Sequence, residues 1–341
     1  MISHKQTGFT LLELMVSLAL GLIIVAAGVA VFITGQRSLG LQGGMSELQQ
    51  NANFGLSMVT HDLRHTNLNT PSTQKVNNKH VGSGIIFSVA NLPSSLSGVD
   101  AGLLTKQDKD SAATTTGTAG KNDQLTIQFI PEYRKVTTRH CPSANATCAD
   151  TEKTDVVTYK AKGQDCEGTP FDFSEVRTIV QRYYLKEDPV QTPGQPKAYS
   201  LYCDAGSYKE NDTEITGLKK NPDGTLTAGQ QLMQRIDAFK IRLGVKAPDK
   251  KLRYMTVDEY LAEMPDTVTA ESSFYNVMSI EIGVIARSTT ALNSEKLIDN
   301  SKTFDVAGYP LTLNTEQKNG SKFLREVFSQ VVAFRNTLGA S

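Results

Sequence analysis

Two histidines at helical spacing are the first residues in this chain whose types could do chemistry. His61 and His65 stand four residues apart, as a zinc-binding pair on one helix face would. The residues between them, DLR, lack the glutamate of an HExxH motif, and no obvious third ligand accompanies them. We therefore interpret the pair as part of a solvated or packed helix face, and we predict no metal and no other cofactor.

Four cysteines form the second group with a chemistry of its own. They are separated by 6, 17 and 36 residues, which matches no zinc template built from C-x-x-C pairs. Disulfides are predicted instead, provided that this segment lies in an oxidising compartment. Four cysteines allow three pairings, and we favour the nearest-neighbour one, Cys141 with Cys148 and Cys166 with Cys203.

Other catalytic and binding patterns are missing from the sequence. It has no G-x-S-x-G elbow, GTAGKND lacks the spacing and the hydroxyl residue of a phosphate loop, and DKDSAATTTG lacks the closing glutamate of a calcium loop. Basic and acidic residues number 35 each, so the basic excess typical of nucleic-acid-binding domains is absent. The sequence predicts neither an enzyme nor a protein with a specific nucleic-acid partner.

One carboxylate, Glu13, stands at the edge of a long apolar segment. From Leu14 to Ile33 no residue carries a formal charge, and a helix of this length is about 30 Å long, the thickness of a hydrocarbon core. A signal peptide would have a shorter apolar region followed by a small-residue cleavage site. The segment is predicted as a membrane span over about residues 14–33. A charge inside it costs about 3 kcal/mol, and composition alone leaves open whether Glu13 reaches the headgroups or meets a partner.

A second helical pattern follows the span and predicts one long N-terminal helix over residues 9–69, whose regular stripe ends at about His65. Apolar residues there recur at steps of three and four, which is typical of an amphipathic helix. Three glycines between residues 40 and 44 each cost about 1 kcal/mol in a helix, so a bend or local melting is predicted at that point. The stripe consists of Leu41, Met45, Leu48, Ala52, Leu56, Val59 and Leu63.

From about Val81 the apolar period changes from 3.6 to 2, which predicts an antiparallel β-rich domain over residues 70–341 and an α+β fold class. Residues 106–123 are predicted as a mobile loop of unassigned role, and TVDEYLAEM as a helix that bridges two strands. The stretch from about Arg134 to Arg177, within a cysteine-containing region of about 134–203, is predicted as a local insertion of unassigned role. The candidate strands are GSGIIFSVANL, NDQLTIQFIPEY, RTIVQRYYLKED, KAYSLYCDA, QRIDAFKIRLGV and NVMSIEIGVIARS.

The stretch KQTGFTLLELMVSLALGLIIVAAG resembles the processing site of type IV prepilins and of type II secretion pseudopilins, through Gly8, Phe9 and Glu13. The resemblance implies that a prepilin peptidase removes residues 1–8 as a leader and methylates the new amine of Phe9. It also implies that Glu13 meets the terminal amine of a neighbouring subunit in the filament. Such a pair would relieve two buried charges in a helix bundle of low dielectric constant.

The later segments, from NDQLTIQF through LMQRIDAFKIRLGV to KFLREVFSQVVAFRN, are similar in order to PilW-type minor pilins over nearly the whole chain. This resemblance implies a non-enzymatic pilus subunit with one span in the inner membrane, a periplasmic C-terminal domain and a final place in the pilus at the cell surface. It would prime assembly at or near the tip and support twitching motility, adhesion or DNA uptake. Other minor pilins, the major pilin and a tip adhesin would be its partners.

Two alternatives stay open at this point. A J-type pseudopilin of a type II secretion system would share the leader, the long helix and the β-rich domain. A membrane-anchored periplasmic enzyme with an unrecognised site would share the span alone. Within the pilus reading, Glu13 predicts a place just below the topmost subunit, because a topmost subunit has no neighbour above that needs the carboxylate.

Overall fold

A long helix followed by antiparallel strands makes up the protein. The structure is a computed structural model that describes residues 8–72, 75–109, 122–141, 153–218, 229–265, 274–292 and 298–337. The helix, α1, covers Leu11–Leu63, and every strand pairing among the described residues is antiparallel. The predicted α+β fold class, a long N-terminal apolar helix before an antiparallel β-rich domain, is confirmed.

The described strands fall into three sheets and one hairpin. The first sheet has the order β1-β2-β6-β7-β8, the second β10-β9-β11-β14, and the third β3-β4-β5, while β12 and β13 form the hairpin. Within the described ranges, the short helices α2 (Val257–Glu263) and α3 (Thr315–Asn319) lie between strands. The strands are β1 (Lys106–Lys109), β2 (Asn122–Phe129), β3 (Arg134–His140), β4 (Thr154–Gln164), β5 (Pro170–Phe173), β6 (Thr178–Glu187), β7 (Tyr199–Tyr208), β8 (Gln230–Met233), β9 (Ile236–Lys246), β10 (Leu252–Met255), β11 (Asn276–Arg287), β12 (Thr303–Val306), β13 (Tyr309–Thr312) and β14 (Arg325–Ala333).

The second half of α1 lies against both large sheets through the predicted stripe. Its buried residues and those of the two sheets form one continuous apolar core. Leu41 and Met45 are only partly covered, so the contact with the domain begins near residue 44. The residues that α1 buries are Gly44, Leu48, Ala52, Gly55, Leu56, Val59, Thr60 and Leu63.

The helix is shorter at its end and more continuous in its middle than the sequence predicts. It ends at Leu63, and the chain then turns through residues 64–69, where Asn67 and Asn69 have φ of 67° and 53°. That left-handed conformation cannot continue an α-helix. Of the predicted bend or local melting at residues 40–44, the melting is wrong, since α1 stays helical there and Gly44 is buried.

Five of the six predicted strands are confirmed, in β2, β6, β7, β9 and β11, and TVDEYLAEM forms α2 as predicted. The sixth prediction, GSGIIFSVANL, is wrong. That segment makes one isolated bridge, between Ile85 and Ile127, and then a 3₁₀ turn. The side chain of Asn91 accepts hydrogen bonds from the N–H groups of Phe87 and Ser88 at 2.9 and 3.3 Å, so it replaces the strand ladder locally.

The predicted loop 106–123 is partly strand. Its first four residues form β1, and Asn122 and Asp123 begin β2, while residues 110–121 lie outside the described residues.

The side chains of Asn122 and Asp123 also connect the first sheet to the second. The N–H groups of Phe239 and Ile241 on β9 donate to Asn122 Oδ1 and Asp123 Oδ2 at 3.0 and 2.9 Å. Side chains of β2, instead of another strand, therefore accept hydrogen bonds from backbone N–H groups at one edge of β9.

The insertion predicted at about 134–177 contains a separate sheet, whereas the wider cysteine-containing region of about 134–203 also includes strands of the main domain. Strands β3, β4 and β5 form a sheet of their own between Arg134 and Phe173. Strands β6 and β7 belong to the first sheet, so residues 178–203 are part of the main domain. The cysteine-containing region 134–203 includes parts of the insertion and of the first sheet, because Cys166 lies in the insertion and Cys203 lies in β7. The spacing of the cysteines in the sequence does not show this boundary.

Candidate assembly interface

The first half of α1 is apolar and entirely uncovered by the rest of the protein. The helix contains an 18-residue window that is apolar enough to cross a membrane, and none of that window is buried. Phe9, just before the helix, is 91% exposed. Exposure of so much apolar surface costs about 25 cal/mol per Å² in water, so by length and composition this half requires a bilayer or other apolar helices around it.

Glu13 is held at the start of α1 by its own helix. The N–H and the hydroxyl of Thr10 both donate to Glu13 Oε2, each at 2.9 Å, and the N–H of Glu13 donates to the Thr10 hydroxyl at 3.3 Å. This is a capping box, which satisfies donors that the first turn of a helix leaves without partners. Both bonds to the carboxylate use Oε2 and the side chain is exposed, so Oε1 is accessible to a donor from another chain.

The role of Thr10 was missed in the sequence, although its signal was there. Thr10 and Glu13 have the S/T-x-x-E spacing of a capping box directly before an apolar run. A cut after Gly8 would leave both hydrogen-bonding groups of Thr10 in place, because its N–H belongs to the peptide that joins it to Phe9. Residues 1–7 of the predicted leader lie outside the described residues.

The histidine pair lies at the other end of α1. The ring centroids of His61 and His65 are 5.0 Å apart, and His65 lies 5.6 Å from the ring of Phe129. His61 is exposed, while burial, followed by the nearby His61, lowers the pKa of His65. Across the parts of the chain that the structure describes, no group of three or more His, Cys, Asp or Glu side chains could hold a metal ion.

Asp62, between the two histidines, points into the domain. It accepts a hydrogen bond at 2.8 Å from the hydroxyl of the fully buried Tyr183. Burial raises the pKa of Asp62, although the hydrogen bonds from Tyr183 and His61 act in the opposite direction. The end of α1 is therefore fastened to β6 by a polar contact in addition to its apolar stripe.

Cys166 and Cys203 form a disulfide, as predicted, with a Cα–Cα distance of 6.1 Å. Cys166 follows β4 in the insertion and Cys203 lies in the middle of β7, so the bond joins the insertion to the first sheet. Cys148 lies outside the described residues, and the pairing of Cys141 with Cys148 stays a prediction.

A cleft of about 1120 Å³ separates the last turns of α1 from the insertion. Met58 and His61 of α1 form one wall, Lys160 and Lys162 of β4 form the other, and Phe129 lies between them. Phe54, one turn before Met58, is 66% exposed. Between the predicted span and this cleft the exposed face of α1 is mostly polar and includes Gln42, Ser46 and Gln50, so Phe54 and Met58 are separate from the apolar first half.

Two family models match the sequence. The one described as Type IV Pilus-assembly protein W matches residues 182–336, which include most of β6 and the chain through β14. The prokaryotic N-terminal methylation motif matches residues 3–29, which include Gly8, Phe9 and Glu13.

A type IV-like pilin from Thermus thermophilus matches 65% of this chain and 81% of its own, with 8% sequence identity and a TM-score of 0.26. No curated protein matches the sequence.

Proposed function

We propose that this chain is a minor pilin that primes assembly of a type IV pilus at or near the tip, because residues 182–336 match the family model of Type IV Pilus-assembly protein W and residues 3–29 match the prokaryotic N-terminal methylation motif. The observation that carries the proposal is the start of α1, where Glu13 stands four residues after Phe9 on an uncovered apolar helix. A non-enzymatic role in twitching motility, adhesion or DNA uptake follows from a place in the pilus.

The proposed mechanism is one of storage, cutting and docking. The apolar half of α1 holds the chain in the inner membrane until prepilin peptidase cuts after Gly8. The new amine of Phe9 stays cationic when methylated, and in a helix bundle of low dielectric constant it needs an anion beside it. Glu13 of one subunit supplies that anion to the amine of the next, and its accessible Oε1 suits this contact.

The disulfide supports the proposed location of the domain. Structural disulfides persist in oxidising compartments such as the bacterial periplasm and are rare in the cytosol. The Cys166–Cys203 bond therefore favours a chain whose C-terminal domain lies on the periplasmic side of the inner membrane. Other pilus components, among them other minor pilins, the major pilin and an adhesin, would meet it there.

Mass spectrometry of the purified protein tests the first step. We expect Phe9 as the N-terminal residue, carrying one methyl group. A mature chain that still contains Gly8 would overturn the proposal. Deletion of the gene tests the role in pilus assembly, and it should reduce the number of pili. Normal piliation with a loss of protein secretion would instead assign the chain to a type II secretion system.

A further inference from the structure

The guanidinium of Arg287, at the end of β11, is buried with only part of its hydrogen-bonding capacity in use. Its side chain is 0% exposed, and Nη1 donates to the carbonyl oxygens of Pro196 and Lys197 at 3.4 and 3.2 Å. The ring of Phe323 lies 4.7 Å from Cζ. Among the residues that the structure describes, Nε and Nη2 have no hydrogen-bond partner. Buried polar groups are usually paired, so Arg287 keeps two donors that suit an acceptor.

The charges that act on Arg287 cancel one another. Asp237 Oδ1 lies 3.4 Å from Arg287 Nη1, but Asp237 Oδ2 accepts a hydrogen bond from Arg325 Nε at 2.6 Å. Burial, the largest cause, lowers the pKa of Arg287. Asp237 and Asp188 act against this shift, while Arg325 and Arg235 add to it. Two carboxylates are thus offset by two guanidinium groups, and the charge of Arg287 itself stays uncompensated, which is costly in a protein interior.

Arg287 also lines a cavity of about 210 Å³ between α1 and the end of β11. Arg287 and Leu48 are buried and form its floor, while the exposed residues Glu47 and Gln50 form its mouth. A water molecule takes up about 30 Å³ in the liquid, so an ion of several heavy atoms fits this space. Leu48 is the one apolar residue of the lining, and its other members are Asn51, Gln234 and Thr289.

We propose that this cavity binds a small oxyanion, such as inorganic phosphate or a free carboxylate, through the guanidinium of Arg287. The planar guanidinium group matches two oxygens of a carboxylate or phosphate, which a spherical ion does not offer. The polar lining disfavours an apolar ligand, because its amides would lose their hydrogen bonds to water. Since Gln50 belongs to α1 and Arg287 to β11, a bound oxyanion joins the helix to the second sheet. The inference is independent of the proposed function.

One carboxylate at the mouth acts against the ligand and supplies a test of sign. Glu47 Oε2 accepts a hydrogen bond from the hydroxyl of Thr289 at 2.7 Å. Its negative charge repels an oxyanion that enters the cavity. Glu47→Gln removes this charge and keeps an oxygen acceptor for Thr289, so it should strengthen the binding of phosphate roughly fivefold, as expected for a partly screened charge.

Isothermal titration calorimetry of the detergent-solubilised full chain tests the site. Sodium phosphate and sodium acetate are the probes, in a background of sodium chloride at constant ionic strength. We expect saturable binding of one oxyanion per chain, and its loss in Arg287→Gln with the fold checked by circular dichroism. Heats that do not saturate with either probe, or unchanged binding in a folded Arg287→Gln, would overturn the proposal.

A matched pair of variants keeps the test valid if Arg287→Gln does not fold. Gln49 and Gln50 are neighbouring exposed residues of α1, and only Gln50 lines the cavity. Gln50→Glu should weaken the binding of phosphate roughly fivefold. Gln49→Glu, the control, should change it less than about twofold, because salt screens a charge outside the cavity. Equal affinities of these two variants, or weaker binding in Glu47→Gln, would show that phosphate does not bind in this cavity.

Discussion

Thr10 and Glu13 bind each other reciprocally at the start of α1, with two hydrogen bonds of 2.9 Å to the carboxylate and one of 3.3 Å back to the hydroxyl. The glutamate therefore has a local role as a cap in addition to its proposed role as a charge. Loss of pili after removal of Glu13 could come from either role, so the two must be separated.

Three substitutions at this site make the separation. Glu13→Gln keeps a side chain that can complete the capping box but removes the charge, and Glu13→Ala removes both. We expect both variants to be cut and methylated normally and to form markedly fewer pili. Thr10→Ala removes the cap, at about 1 kcal/mol, but keeps the charge and should assemble normally. Counting pili by electron microscopy gives the result, and normal piliation in Glu13→Gln would show that the charge is not needed.

Gly55 lets α1 approach β8, because a β-carbon at that position would overlap the side chain of Met233. Gly55→Ala should destabilise the domain by about 1–3 kcal/mol, the usual cost of overpacking. Denaturant unfolding of the detergent-solubilised full chain measures it. Gly43→Ala is the control, since a β-carbon there meets nothing within 4 Å, and the change should be neutral or stabilising by up to about 1 kcal/mol. In a Met233→Ala background the additional change Gly55→Ala should cost less than it does in the wild type, if the overlap is its cause.

The Cys166–Cys203 bond closes a segment with a sequence separation of 37. Loss of the disulfide should lower the free energy of unfolding by about 4 kcal/mol in the chain-entropy model. Cys166→Ser and Cys203→Ala should each lower the free energy of unfolding, the second somewhat more because Cys203 is fully buried. The double variant should be about as stable as Cys203→Ala, since the bond can be lost only once. Additive losses in the double variant would show that packing, and not the covalent bond, provides the stability.

Asp62 gives the domain a pH dependence whose sign can be stated. Its pKa is raised by burial, so the protonated carboxyl contributes stability at low pH that is lost as the pH rises through the folded-state pKa. Asp62→Asn keeps an oxygen acceptor for Tyr183 without the charge. It should be more stable than the wild type at neutral pH and equal to it below the unfolded-state pKa of aspartate. Unfolding curves across this pH range test it, and equal stability of the two proteins at neutral pH would contradict it.

The sequence predicted those parts of the fold that depend on a local period. The stripe from Leu48 to Leu63 and the apolar alternation in β2 are repeated signals, and the helix and the strand both appear where expected, although every residue of β2 is buried. The segment 82–92 has an apolar run as well, but its backbone is bound by Asn91, a side-chain competition that the run itself does not reveal. The end of α1 depends on two asparagines with positive φ, which the apolar pattern does not register.

The candidate interface was predictable only where its signal is local. Gly8, Phe9 and Glu13 form a motif within six consecutive residues, and the capping box with Thr10 could have been read from the same six. Phe54 gave no such signal, because an exposed phenylalanine on a helix is recognisable only once its buried neighbours are known. The cleft is assembled from residues more than a hundred positions apart, such as Met58 and Cys166, so it exists only in the folded chain.

The position of the disulfide also decides how the domain would respond to a pulling force. The insertion is connected through the backbone to β2 and β6, and through Cys166 to the middle of β7. Tension applied to the insertion is thus shared among three neighbouring strands and does not concentrate on two chain ends. The Cys166–Cys203 bond carries part of that load. Strands pulled apart from one end lose their hydrogen bonds one after another, whereas a covalent bond does not separate in this way. A force on the insertion would therefore reach the first sheet partly through a covalent bond.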